Sequence, residues 1–264
     1  MKKAVLSGLI MVALVGGACG QDTAELAKKL ANPMASLISV PIQFNYNGHI
    51  GPGNDGYVWG INIQPIIPFT LNEDWNVVSR TILPVLDEHD VPVQGSGESG
   101  LGDIVQSLFL SPKEPGAGGL IWGVGPVFLL PTATDKALGT EKWGAGPTAV
   151  GLQQHGPWTY GMLMNHVWSF AGDSDRAQVS STLLQPFLMY LTPTKTTIGF
   201  NTESVYDWEN EQWSVPLTVT LQQIIRIGRL PMQVGIGSWY WADSPDNGPQ
   251  DLGGRVQLTF IFPK

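Results

Sequence analysis

Gly254-Arg255-Val256-Gln257-Leu258-Thr259-Phe260-Ile261-Phe262 decides the fold. Successive side chains of an extended backbone point to opposite faces. Val256, Leu258, Phe260 and Phe262 therefore share one face, while Arg255, Gln257 and Thr259 share the other. A second run repeats the pattern, with Leu217, Val219 and Leu221 opposing Thr218, Thr220 and Gln222. One face is apolar and the other wet. Soluble sandwiches also alternate, so the pattern alone leaves two architectures open.

Working outward from these runs, the chain from Ala35 onward is rich in β-branched and aromatic residues, with Gly, Asp, Asn and Pro clusters between. Strands are expected near 35–46, 57–69, 75–86, 102–111, 119–130, 143–153, 158–169, 179–191, 196–206, 213–223, 231–241 and 253–262. That is about twelve, an even number as single-chain bacterial barrels require. Runs of ten or more exceed the roughly five or six residues of soluble strands and match a tilted crossing of about 25 Å of hydrocarbon. Trp75, Trp143, Trp158 and Trp213 each open a strand after a polar turn, where a membrane-interface girdle takes an amphipathic ring. The reading is an all-β, antiparallel transmembrane barrel of about twelve strands over residues 35–264. Pro65, Pro68, Pro84, Pro126, Pro147, Pro186 and Pro216 fall inside these strands. Proline donates nothing to a ladder, so bulges or strand ends near a rim are expected there.

Residues 1–20 read as a cleaved export signal: Lys2 and Lys3, an apolar run over Ala4–Val15, then a small-residue exit with cleavage after Gly20. Lipidation at Cys19 is disfavoured, because Gly16 stands where a larger aliphatic residue is wanted. With one cysteine in the chain no internal disulfide can form. Residues 21–34 read as an N-terminal helical arm, a short amphipathic helix over Gln21–Asn32 with Thr23 as its N-cap, Leu26 and Leu30 four apart and Pro33 ending it. It is expected to be a periplasmic arm in preference to a pore plug.

The formal charge of -8 becomes -10 without Lys2 and Lys3, which excludes nucleic acid as a natural partner. Only 14% of residues are charged, against roughly 25% in a soluble domain. Yet no apolar run after the leader approaches the ~20 residues of a spanning helix. A membrane location therefore requires strands.

Catalytic and metal signals are thin. The histidines at 49, 89, 155 and 166 match no zinc spacing, and no metal or cofactor is expected. His166 lies in a strand, but Asn165 and Ser169 point to the opposite face. Gly95–Gly102 lacks the Lys and Ser/Thr of a phosphate loop, while Asp173–Asp175 and Asp243–Gly248 read as turns before calcium sites. Charged residues inside strands carry more information. Arg80, Asp103, Glu203 and Arg255 would be costly against lipid, so they are expected to face the lumen and set its selectivity.

The segments Asp22–Pro33, Leu120-Ile121-Trp122-Gly123-Val124-Gly125-Pro126, Glu141-Lys142-Trp143-Gly144-Ala145-Gly146-Pro147 and Tyr240-Trp241-Ala242-Asp243-Ser244-Pro245 resemble a bacterial group of outer-membrane proteins. That group is similar to the family labelled "MetA-pathway of phenol degradation", over essentially all of the chain after the leader. The resemblance implies an outer-membrane barrel related to channels for hydrophobic compounds, with no catalytic residues to carry over. Some members are labelled transporter or neuromedin U, and a neuropeptide role is physically unreasonable for this chain.

The functional expectation is a bacterial outer-membrane channel or transporter-like barrel, without enzymatic activity, for small and hydrophobic or aromatic molecules. Its partners would be outer-membrane lipid and the permeant. About twelve strands imply a narrow or partly plugged lumen, since eight are filled by side chains and sixteen hold an aqueous pore. The acidic balance would disfavour anions at the loops. A structural or adhesive barrel, a lipid-modifying enzyme using His166, and a soluble periplasmic sandwich are the alternatives, in that order.

Overall fold

The computed structural model describes residues 20–228 and 230–262. The leader and the Cys19 reading lie, apart from Gly20, outside the described residues.

Fifteen hydrogen-bonded segments form one antiparallel sheet, and three pairs of them are single strands interrupted near a kink. The strands are β1 (Ile38–Ile50), β2 (Gly56–Ile63 and Ile66–Thr70), β3 (Trp75–His89), β4 (Ser99–Leu101 and Ile104–Pro112), β5 (Ile121–Leu130), β6 (Lys142–His155), β7 (Trp158–Gly172), β8 (Ser180–Leu191), β9 (Thr196–Thr202 and Ser204–Asp207), β10 (Gln212–Ile227), β11 (Leu230–Asp243) and β12 (Leu252–Phe262). Each pairs with its neighbour in sequence, and β12 closes onto β1 with Ile38 opposite Phe262 and Phe44 opposite Val256. Closure removes the unpaired edge that an open sheet would leave. The result is a twelve-stranded closed barrel whose strands reach 16 residues, long enough to cross a bilayer at a tilt.

Alternation sorts the faces. On β12, Thr259 and Ile261 are buried while Val256 and Phe262 are exposed, so the apolar row of the deciding stretch points outward. The same outward exposure runs through Leu217, Val219 and Leu221 on β10, and Tyr160, Met162 and Met164 on β7. An apolar band on the outside of a closed barrel is a lipid-facing surface. At one end the connections span 71–74, 113–120, 156–157, 192–195 and the link from β10 to β11; at the other they span 51–55, 90–98, 131–141, 173–179, 208–211 and 244–251. Short turns mark the periplasmic end and longer loops the external end.

Four of the seven interior prolines sit where the ladder gives way, while Pro68, Pro84 and Pro186 hold register with a neighbouring strand. Pro65 falls in the gap within β2, and a register shift lies between Val215 and Pro216. Pro126 and Pro147 face each other across β5 and β6. The β4–β5 register skips Pro126, and the β6–β7 register skips Pro147. A Cβ at Gly125 or Gly146 would collide with the carbonyl oxygen of Leu108 or His166, so each Gly-Pro pair is a close backbone approach that a larger residue would block. Pro68 and Pro186 remain in register within their strands.

The N-terminal helix, α1 (Gly20–Leu30), differs from its expectation in two ways. It starts early enough that Thr23 lies in its first turns and does not cap it. It is also no free arm. Leu26, Ala27 and Leu30 pack with Leu191, Ile224 and Ile261, side chains that project from the barrel wall into its lumen, and with Leu37 just before β1. Gln154 adds a hydrogen bond from its Nε2 to the Lys28 carbonyl oxygen (2.9 Å). Beyond the helix, Met34 buries itself among Val78, Phe109, Val150, Leu152 and Leu163. The apolar face of a short helix must be covered by something, and here inward residues near the periplasmic end cover it. The segment plugs that end of the lumen.

Candidate functional site

Inside the barrel, polar side chains link one strand to the next. Arg80 on β3 donates from Nη2 to Gln64 Oε1 (3.3 Å), and Gln64 donates from Nε2 to Gln43 Oε1 (2.9 Å). Gln43 donates in turn to Gln257 (3.1 Å), and Gln257 to Thr259 Oγ1 (3.0 Å). On β1 and β12 they lie on the row opposite the apolar one, whereas Gln64 falls in the gap within β2 and Arg80 shares the inward row of β3 with the buried Asn76 and Val78. The amides thus form a chain of hydrogen bonds from β3 across β2 and β1 to β12.

Arg255 is the hub. Its Nε donates to Asn45 Oδ1 at 2.7 Å, its Nη1 lies 3.7 Å from Glu203 Oε1, and its guanidinium carbon stands 5.4 Å from the centre of the Trp239 ring. Trp239 and Trp241 both donate from Nε1 to Asn47 Oδ1, at 3.1 and 3.2 Å, which holds the aromatic partner in place. Gln185 Nε2 donates to Glu203 (3.4 Å). Two cavities meet here. One, of about 190 Å³, extends towards α1 and is lined by Arg80, Glu203 and Arg255 together with Leu30 and Phe187. The other, of about 220 Å³, extends towards the loops and is lined by Asn45, Asn62, Trp239 and Trp241 with the same Glu203 and Arg255. The Arg255–Glu203 pair is the partition between them. Moving that pair would join the cavities.

Three of the four charged strand residues thus come together in the lumen. Asp103 lies elsewhere, at the external end, in the gap between the two parts of β4. Its carboxylate accepts from the backbone N–H of Ala133 and Thr140 and from Thr140 Oγ1, at 3.1, 2.6 and 2.7 Å. It holds the 131–141 loop, whose Leu138 is buried against Gly102. Arg176 ties the same loop from the other side through the carbonyl of Lys136 (2.8 Å) and the carboxylate of Glu141 (3.3 Å). Asp103 is therefore a loop latch, and no part of either lumen cavity is lined by it.

The four tryptophans point outward at strand ends. Trp75 and Trp158 stand at the periplasmic end, Trp143 and Trp213 at the external end, two to each interface. Trp75 stacks edge-on with Trp122, Trp158 contacts Tyr190, and Trp213 contacts Tyr206. Aromatic rings at both ends of an apolar band form the two girdles of a membrane barrel.

His166 also points outward. Its Nδ1 lies 2.7 Å from Thr182 Oγ1, which also accepts a hydrogen bond from Trp208 Nε1 (2.8 Å). Its Nε2 is buried and has no partner among the described residues. The ring is thus held from its Nδ1 side, and among the described residues no nucleophile lies on its Nε2. The lumen residues that sequence reasoning passed over are Gln43, Gln64, Trp239 and Trp241, while Gln257 was placed on the polar row without a role. Their inward parity was readable, but their convergence depends on the closure of β12 onto β1.

No protein-family model matches the chain, and no curated protein matches it. Among solved structures it is similar to an outer membrane channel from Pseudomonas putida F1, over 86% of this chain and 96% of that one, with a TM-score of 0.66 and 14% identity. An outer membrane phospholipase dimer with bound calcium from Salmonella typhi aligns over 94% of this chain and 99% of its own, with a TM-score of 0.46 and 11% identity. The Escherichia coli outer membrane phospholipase A aligns over 86% and 98%, at 0.45 and 8%. The first likeness is one of fold. With the outward apolar band and the paired aromatic girdles, it makes this protein a β-barrel of the bacterial outer membrane.

Proposed function

We propose that the protein is a narrow outer-membrane channel for small molecules, held nearly closed by α1 on the periplasmic side and by the Arg255–Glu203 pair in mid-lumen. The observation that carries this reading is the partition itself: two cavities inside one barrel share a single pair of side chains as their wall. A purely structural barrel has no need of a hollow, charged interior, since apolar packing would stabilise it at least as well. The likeness to a channel of the same fold supports the reading. So does the family resemblance, which points to hydrophobic or aromatic permeants.

The charge of the narrow zone differs from that of the chain. The formal charge is -8 overall, yet the two cavities are lined by Arg80 and Arg255 against Glu203 alone. Selectivity follows the charges nearest the path, so the channel should favour anions despite its acidic loops. Single-channel recording in planar bilayers tests this. The expected result is a small, discrete conductance with a reversal potential on the anion side, enlarged in Arg255→Ala. A folded barrel giving no discrete steps, in either form, would instead support the structural or adhesive reading.

A further inference from the structure

We infer that the cavity beside α1 is a binding site for a small monocarboxylate with an apolar body. This deepens the channel reading by naming the class of permeant, and it rests on that reading for its physiological sense.

Arg80 is the first reason. Its guanidinium carries five donors in a planar fork, and among the described residues it uses one, to Gln64 at 3.3 Å. The remaining donors belong to a cation held inside the barrel and lining a cavity of about 190 Å³. A guanidinium with free donors matches a carboxylate in bidentate geometry better than any neutral group. Arg255, on the same cavity, is already committed to Asn45, Trp239 and Glu203. It supplies a second positive charge without competing for the anion's oxygens.

The second reason is the asymmetry of the walls. Strands β9–β12 and β1–β3 line the cavity chiefly with amides, hydroxyls, Glu203 and the two arginines, whereas α1, β7 and β8 line it chiefly with Leu30, Leu163, Phe187 and Met189. A purely polar anion would leave that apolar wall in contact with water. A purely apolar molecule would strip water from Arg80 with nothing in return. A molecule with one carboxylate and a compact apolar end satisfies both walls.

Third, Glu203 sets the count of charges. It faces the same cavity and carries the one carboxylate there. A second carboxylate on the ligand would meet it at close quarters, so dianions are selected against.

Isothermal titration of the detergent-solubilised barrel tests the site, with 3-phenylpropionate and its neutral amide, 3-phenylpropanamide, as probes. The acid should bind at least about tenfold more tightly than the amide, and Arg80→Gln should abolish that difference by weakening the acid alone. Glu203→Gln should strengthen acid binding severalfold, which keeps the test decisive if Arg80→Gln fails to insert. Phe187→Ala should weaken acid and amide alike. Heat-modifiable migration on a gel confirms that each variant is a closed barrel. Equal affinity for acid and amide, no binding of either, or acid binding unchanged in both Arg80→Gln and Glu203→Gln would overturn the site. Discrete conductance without acid binding removes the site and leaves the channel; acid binding without conductance removes the channel and leaves the site.

Discussion

The two sides of this barrel's interior are built on opposite principles. From β3 to β7 the inward side chains Val78, Phe109, Val150, Leu152 and Leu163 close around Met34, with Val78 and Phe109 at 0% exposure. From β10 through β12 to β1 the inward row is Thr218, Thr220, Gln222, Gln233, Gln257, Thr259 and Gln43, and it borders the cavities. One side is a packed core of the kind found in soluble proteins, the other a polar wall beside cavities. A barrel of twelve strands is wide enough for both and too narrow for an open pore. The packed side stabilises the closed wall while the polar side keeps a route through it.

The largest effect should come from breaking the packed side. Phe109→Ala should cost about 3–5 kcal/mol, the range for deleting a fully buried aromatic ring, measured by urea unfolding of the protein folded into lipid vesicles. Gln233→Ala on the polar side should cost less than about 1 kcal/mol, since Gln233 already lines a cavity and its loss leaves little uncompensated. Equal costs would dissolve the distinction between the two sides. Next in size is Gly123→Ala. A Cβ there would stand 2.8 Å from Met34 Sδ and 3.2 Å from Phe109 Cβ. Overpacking of this kind costs about 1–3 kcal/mol. Because the easiest group to move is Met34, the same variant should loosen the plug and raise the frequency of open events in bilayer recordings. No change in gating would show that the packed side and the plug are independent.

Asp103→Asn sharpens the comparison at the external end. It weakens three hydrogen bonds to the 131–141 loop, a local loss of about 1–3 kcal/mol, visible as faster protease cleavage in that loop with an unchanged unfolding midpoint. A fall in the midpoint would mean that the latch belongs to the core. A smaller effect on stability is expected from Arg255→Gln. The variant loses the hydrogen bond to Asn45 and the pairing with Glu203 but keeps a polar group lining the cavities, so folding should change by about 0.5–1.5 kcal/mol while the reversal potential moves towards cations. A variant that unfolded without changing selectivity would place Arg255 among the structural residues.

Alternation was legible wherever the inner face is wet, as at Thr218–Leu221 and Arg255–Phe262, and there the inward residues were named correctly by parity. It was illegible on the packed side. In Thr148-Ala149-Val150-Gly151-Leu152 the inward Val150 and Leu152 are as apolar as the lipid-facing neighbours, so no period of two stands out. Trp239 and Trp241 were hidden for a related reason, since aromatic residues near a strand end suit a girdle or a lumen equally well. The helix was visible from Leu26 and Leu30, but an amphipathic face fits any apolar surface, and nothing local says whether that surface lies inside the barrel.

By itself, then, the sequence determined that twelve long strands alternate with turns and that their apolar row must face lipid, because strand period, strand length and turn chemistry are all local properties of the chain. Only the tertiary structure decided that α1 fills the periplasmic end, that Asp103 latches a loop, and that Arg80, Glu203 and Arg255 meet in one lumen. Arg80 and Arg255 lie 175 residues apart, and what brings them together is the pairing of β12 with β1. Closure is a property of the whole sheet, written in no single strand.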